Sequence, residues 1–163
     1  MSKAELRWLT DSVERILIPA FIAHGFVRVA LEAEDGGSRQ IRQAFPFGRL
    51  RRIDGERVEQ VEIQFDRHGK PVFRINFGLF PRQGIDHIAG HVEYEDVWIH
   101  YLDRYFVAYQ IPLFRKWFGL FRWPGRQVVE PDFDALADEV VSVISEIEQT
   151  LKSGKRGRHI RAV

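Results

Sequence analysis

The sequence predicts an α+β fold, with N-terminal and C-terminal helices packed on one face of an antiparallel sheet of four to six strands. The first observation is period-two alternation of apolar and polar residues over 58–80, on both sides of a Gly/Pro turn. Such alternation is typical of a β-hairpin with one buried face. The second observation is that apolar residues recur at helical spacing near each end of the chain, over 6–17 and 133–151.

The N-terminal helix is predicted to start close to the first residue. Ser2 and Glu5 have the spacing of a capping box, in which each side chain satisfies a free backbone N–H. Pro19 is expected to kink this helix or to start a second one, because proline donates no hydrogen bond. Gly25 is a natural end point.

Four strands are expected to follow in a meander. The first is predicted to begin at Phe26, and a turn at Asp35–Gly37 separates it from a second strand over 39–53. Asp54-Gly55 is a strong two-residue hairpin signal, and it leads into the hairpin of 58–80.

Residues 98–123 are unusually aromatic, and three interpretations of them stay open. Large aromatic side chains can form core, line a ligand pocket, or anchor an interface. Alternation predicts strands near 97–101 and 105–109, and 112–118 resembles a short helix. The interface interpretation rests on aromatic residues interleaved with cations, namely Arg115, Trp117, Phe118 and Trp123.

The chain is about one domain long, and the predicted boundaries are a single α+β domain over 1–151 and a flexible basic tail over 152–163. The last helix is expected to start at Pro131-Asp132. The tail holds five basic residues and no acidic residue, although the whole chain has a net charge of only +1.

Composition narrows the function classes. The chain has no cysteine, which excludes disulfides and thiolate sites and fits the cytoplasm. The first residues lack the basic start and apolar run of a signal peptide, and no apolar run approaches the roughly 20 residues of a membrane span. We therefore expect a cytoplasmic protein that does not enter a membrane.

No catalytic residue, cofactor or metal site is predicted. His87 and His91 are four apart, but Gly84 and Gly90 disfavour the helix that would bring two imidazoles together, so a polar loop is expected. No serine occupies a nucleophile-elbow sequence.

Nucleic-acid binding is a weak alternative. Arginines at 39, 42, 49, 51, 52 and 57 could form a basic edge close to aromatic residues. The acidic residues Glu56, Glu59 and Glu62 lower the net positive charge of this edge, which argues against a nucleic-acid partner.

The second face of the predicted hairpin is polar, and we interpret it as solvated sheet or as a working surface. Its members are Gln60, Glu62, Gln64, Arg74 and Asn76. The favoured hypothesis is a non-catalytic binding domain that contacts a protein partner, or a second copy of itself as a homodimer, through this open face or through 98–123. The alternative is a small-ligand-binding protein or enzyme with a pocket between the sheet and residues 86–123.

Short motifs resemble a bacterial family of domains of unknown function, the one numbered 4304. The start of that family, a helix with a proline followed by Gly-Phe, is similar to residues 16–26 here. Its two central strands are similar to Val61–Phe65 and Phe73–Gly78, and its acidic last helix is similar to 132–151. The aromatic residues before the last helix depart from the family. The resemblance implies a small α+β domain and supplies no activity or catalytic residue.

Overall fold

A computed structural model describes residues 3–32 and 38–163 of the chain. The turn predicted at Asp35–Gly37 and the capping residue Ser2 lie outside the described residues.

Six of the described strands form one antiparallel sheet in the order β1-β2-β3-β4-β7-β8, and two more form a separate hairpin. The α+β class and the expected number of strands are confirmed. The strands are β1 (Val27–Val29), β2 (Arg49–Asp54), β3 (Arg57–Phe65), β4 (Phe73–Pro81), β5 (Ile85–His87), β6 (Gly90–Val92), β7 (Phe106–Ala108) and β8 (Ile160–Ala162).

The N-terminal helix changes its winding at Pro19. A π-helical turn, Val13–Leu17, connects the first helix to the second, in which Pro19 lies in the first turn. Proline cannot donate the expected hydrogen bond, and a widened turn before it avoids the clash with the preceding carbonyl. The helices are α1 (Lys3–Ser12), α2 (Ile18–Ala23), α3 (Arg39–Ala44), α4 (Glu130–Val141) and α5 (Ile144–Ser153).

The main core lies between one face of the sheet and the helices from both ends of the chain. The predicted apolar face of the hairpin is buried there. Helix α4 packs on α1 and on the π-helical turn, which closes this layer. The contributing residues include Leu9, Val13, Val61, Ile63, Phe65, Phe73, Ile75, Phe77, Phe133, Val140, Ile147 and Leu151.

The prediction of one strand over 39–53 is wrong in its first half. Residues 39–44 form helix α3, because the Ser38 side chain accepts a hydrogen bond from the Ile41 N–H at the helix start. Gly48, at φ +68°, then turns the chain into β2, and a Cβ there would lie 2.2 Å from the Val29 carbonyl oxygen. Only glycine fits so close to β1.

Residues 94–102 cross the second face of the sheet, and we call them the crossing segment. A strand was predicted near 97–101, but the segment instead contains 3₁₀ turns at Tyr94–Asp96 and Ile99–Tyr101. The expected polar loop around His87 and His91 is the small hairpin of β5 and β6. The strand expected near 105–109 is confirmed as β7.

The predicted flexible tail contains a strand instead. Residues 160–162 form β8, which pairs with β7 at the sheet edge. The Glu146 carboxylate on α5 accepts hydrogen bonds from the backbone N–H of His159 at 2.9 Å and from its ring at 2.5 Å. These two bonds fix the chain immediately before β8.

Candidate functional site

The polar face of the hairpin is not open, contrary to our prediction. Gln60 and Glu62 are fully buried and Asn76 is 5 % exposed, whereas Gln64 and Arg74 are half-buried. Strand β2 adds Arg49 and Arg51, which are 1 % and 7 % exposed. We call these seven residues the covered polar face.

The crossing segment covers this face by bonding its backbone to the polar side chains. The Ile99 N–H donates to Glu62 Oε2 at 2.8 Å, and Gln60 Nε2 donates to the Val97 carbonyl oxygen at 2.8 Å. Arg51 donates to the Glu95 carbonyl oxygen at 3.0 Å. The buried polar groups therefore serve as hydrogen-bonding partners for an irregular segment whose backbone groups cannot pair within a sheet.

Glu62 is the most perturbed group of the face. Burial raises the pKa of its carboxyl to about 7, opposed by the hydrogen bonds from Ile99 and Gln60 and by the charges of Arg49 and Arg51. Its Oε2 accepts both hydrogen bonds, while no described residue bonds Oε1. The group can thus exchange a proton near neutral pH, but its burial keeps it from substrates.

The arginines of β2 do not form the basic edge that the sequence suggested. The Arg49 guanidinium lies 4.5 Å from the centre of the Trp98 ring, and burial together with the charge of Arg49 lowers the pKa of Arg51. Arg52 is paired with Glu59 at 3.0 Å and Glu148 at 2.8 Å. These three cations are committed to internal contacts and offer no row of charges to a phosphate backbone.

The space between the sheet and the crossing segment is filled. Val97 and Ile99 are fully buried, and Val97 packs with Val58 and Phe80 in a second apolar cluster. Ile99 approaches the position of Gly78, where a Cβ would lie 3.7 Å from Ile99 Cδ1. The pocket expected between the sheet and residues 86–123 is therefore occupied by side chains along its 97–99 part.

Residues 111–129 run from the end of β7 to α4, and we call them the strap. The predicted interface residues of the strap differ in their burial. Phe118 pairs with Phe73 and is buried in the main core, so its prediction as a surface anchor is wrong. Trp117 is half-buried beside the Arg74 guanidinium, which lies 5.0 Å from its ring centre. Arg115 and Trp123 are exposed, as expected.

The strap exposes more apolar surface than the prediction named. Leu113 is 79 %, Phe114 75 % and Trp123 66 % exposed, and Phe121 and Val129 are also exposed. Leu113 and Phe114 were not predicted as surface residues; they lie in a 3₁₀ turn, Pro112–Phe114, that ends at Arg115 in the left-handed conformation. Large apolar side chains at such a turn have little sheet against which to pack.

A groove borders the turn between β3 and β4. Its two lobes are separate cavities of about 370 and 690 Å³ that share the lining residues Gln43, Asp66, Arg67 and His68. Trp117 and Gln64 line the larger lobe, so the groove reaches the edge of the covered polar face. We call it the turn groove.

Residues 3–32 and 38–163 contain no group of three or more His, Asp or Glu side chains placed to hold a metal ion. Within the same residues, no helix combines the length and the apolar character needed to cross a membrane.

Comparisons with models of protein families, with curated proteins and with solved structures find no match for this chain. The resemblance to the bacterial family numbered 4304 therefore stays a prediction that rests on the short motifs given above.

Proposed function

We propose that the protein is a non-catalytic binding domain whose strap contacts a protein partner. The observation that supports this most is that three large apolar side chains of the strap, Leu113, Phe114 and Trp123, are 79 %, 75 % and 66 % exposed. Exposed apolar residues of this size, with aromatics and arginines among them, are typical of binding surfaces.

The charge of the strap indicates the chemistry of the partner. Residues 111–129 contain four basic residues, Arg115, Lys116, Arg122 and Arg126, and no acidic residue. Arg122 pairs with Glu5 and Arg126 with Asp132, whereas Lys116 lies 3.5 Å from the centre of the Phe121 ring. An apolar surface next to Arg115 and Lys116, the two strap cations without an ion pair to a described acidic residue, favours a partner segment that combines large apolar residues with acidic ones.

The same charge argues against two straps pairing in a twofold dimer. A twofold interface places the same patch on both sides, so the cations of one strap would face those of the other. We therefore propose a different protein, and not a second copy, as the occupant of the strap.

Selection of a random peptide library on the purified protein tests this function. We expect enriched peptides to combine aspartate or glutamate with leucine or aromatic residues. Phe114→Ala and Trp123→Ala should each weaken the binding of a selected peptide by about tenfold or more, because truncated aromatic anchors cost at least that much at interfaces. Ile88→Ala is the matched control, since Ile88 is fully exposed but lies outside the strap.

Either of two results would contradict the proposal. One is enrichment of no peptide class. The other is a selected peptide that binds both strap variants as tightly as the unchanged protein.

A further inference from the structure

The larger lobe of the turn groove is a cavity of about 690 Å³, which is within the size range of small-molecule sites. Its lining comes from three parts of the chain: α3 with Phe45 after it, the end of β3 with the turn that follows, and Trp117 of the strap. These groups line one cavity, so they can act on a single ligand.

Glutamine side chains give this cavity unused hydrogen-bonding groups. Gln40 and Gln43 are exposed on α3, and no described residue bonds their side-chain amides. Arg74 Nε and Asn76 Nδ2 donate to Gln64 Oε1 at 3.1 and 2.8 Å, which holds that amide in one orientation. No described residue accepts a hydrogen bond from its Nε2, so the N–H donors of Gln64 remain for a ligand.

The charges of the lining balance. Asp66 and Arg67 are neighbours in the turn with opposite charges, and no other described residue of this lining is charged when His68 is neutral. The Arg67 Nε–H donates to His68 Nε2 at 3.3 Å, a bond that requires the neutral ring. Asp66 Oδ2 accepts the backbone N–H groups of His68 and Lys70, at 2.8 and 3.2 Å, which leaves Oδ1 as an acceptor. A cavity without excess charge favours an uncharged ligand that forms hydrogen bonds.

Trp117 adds a flat apolar surface to the cavity. It is half-buried, and the Arg74 guanidinium lies 5.0 Å from its ring centre, so the indole is held in place. The face of an aromatic ring is partially negative and attracts C–H groups that neighbouring oxygens make partially positive. One face of a pyranose ring presents such C–H groups, while its hydroxyls project around the rim. A fixed indole beside several amides is therefore complementary to a sugar ring.

We propose that the larger lobe of the turn groove binds a neutral saccharide, with one pyranose ring on Trp117 and its hydroxyl groups at Gln43, Gln64 and Asp66. A hydroxyl both donates and accepts, so a sugar supplies acceptors for the amide N–H groups and a donor for Asp66 Oδ1. A flat apolar ligand would leave these groups without partners, which costs binding free energy. A phosphorylated ligand would meet the negative charge of Asp66 beside the positive charge of Arg67.

Saturation-transfer NMR on the whole chain tests the site with neutral disaccharides: cellobiose, maltose, lactose and diacetylchitobiose. Adenosine and benzamide, which carry flat aromatic rings and no charge, are the comparison probes. We expect at least one disaccharide to bind more tightly than either comparison probe, with the largest transfer to the C–H protons of one ring face. Absence of binding by every disaccharide, or tighter binding of adenosine or benzamide, would overturn the proposal.

Variants localise the binding. Trp117→Ala should weaken disaccharide binding by about tenfold through the lost stacking surface, and Gln43→Ala by about threefold through one lost hydrogen bond. Gln43 is exposed, so its variant keeps the fold even if Trp117→Ala does not. The matched control is Gln149→Ala, which removes the side chain of an exposed glutamine on α5. Undiminished binding by Gln43→Ala, or an equal loss in Gln149→Ala, contradicts binding in this lobe.

Discussion

Glu62 shows how a single carboxyl can hold an irregular segment on a sheet. It lies opposite Asn76 in the β3–β4 register, and Arg49 and Arg51 face it from β2. Gln60 and the Ile99 N–H bond it directly. The crossing segment adds Tyr94 and Glu95, which interact with Arg51. Proton binding by Glu62 is therefore linked to the stability of the whole face.

We expect Glu62 to make the stability of the protein depend on pH. The pKa of its carboxyl is about 7 in the folded protein and 4.5 in a freely solvated glutamate. The folded state therefore holds the proton more tightly, and the contribution of Glu62 is full below about pH 4.5 and is lost as the pH rises through about 7. That loss is on the order of 3 kcal/mol.

Glu62→Gln should remove this dependence, because an amide does not titrate. Urea unfolding at several pH values between about 5 and 8 measures it. The free energy of unfolding of the unchanged protein should fall relative to that of Glu62→Gln as the pH rises. Parallel curves for the two proteins would show that Glu62 titrates at its ordinary pKa.

Strand β8 shows how one carboxylate can decide whether a short element pairs. Three residues form a marginal strand, and β8 pairs on one side only. The two hydrogen bonds from His159 to Glu146 bring the chain to the edge of β7, where the Tyr109 N–H donates to the His159 carbonyl oxygen at 2.9 Å.

Glu146→Ala should release β8 while leaving the rest of the sheet intact. It removes the acceptor of two partly buried hydrogen bonds, so we expect a loss of about 1–3 kcal/mol in unfolding free energy. Amide hydrogen exchange should become faster at Tyr109 and Val163, but not in β3. Glu139→Ala, an exposed glutamate on α4, is the control. Unchanged exchange at Tyr109 would show that β8 pairs without Glu146.

Elements with a strong period were predictable from the sequence, and short elements were not. Alternation over 58–80 identified β3 and β4, including their buried face. Residues 39–44 and 160–162 are too short for a period to separate helix, strand and coil. The burial of the polar face could not be predicted for a different reason. A strand with alternating polar residues has the same sequence pattern whether water or a backbone segment such as 94–102 bonds to those residues. The one available signal that polar groups gather on this face was the pair Arg49 and Arg51, which are two residues apart in β2.

At the scale of the whole molecule, the described residues form three layers: the helices, the sheet and the crossing segment. The sheet is thus buried on both faces through much of β3, with an apolar side in the main core and a polar side toward residues 94–102. The surfaces proposed for binding lie outside these layers, on the strap and at the hairpin turn. Changes at either surface should leave the core unaffected.

We expect the protein to be monomeric in solution. The strap carries its exposed apolar residues among cations, and like charges oppose pairing of two straps. Light scattering over a range of concentrations should give the mass of one chain. A mass of two chains that decreases in Trp123→Ala would instead show that the strap binds a second copy.

The position of β8 in the chain also affects how the protein is made. Strand β7 pairs with β4 on one side and with β8 on the other, yet about fifty residues separate β7 from β8 along the chain. A ribosome releases these strands in order, so a nascent chain carries β7 with one unpaired edge until residues 160–162 leave the exit tunnel. During synthesis this edge can pair with other chains, and completion of β8 ends that exposure.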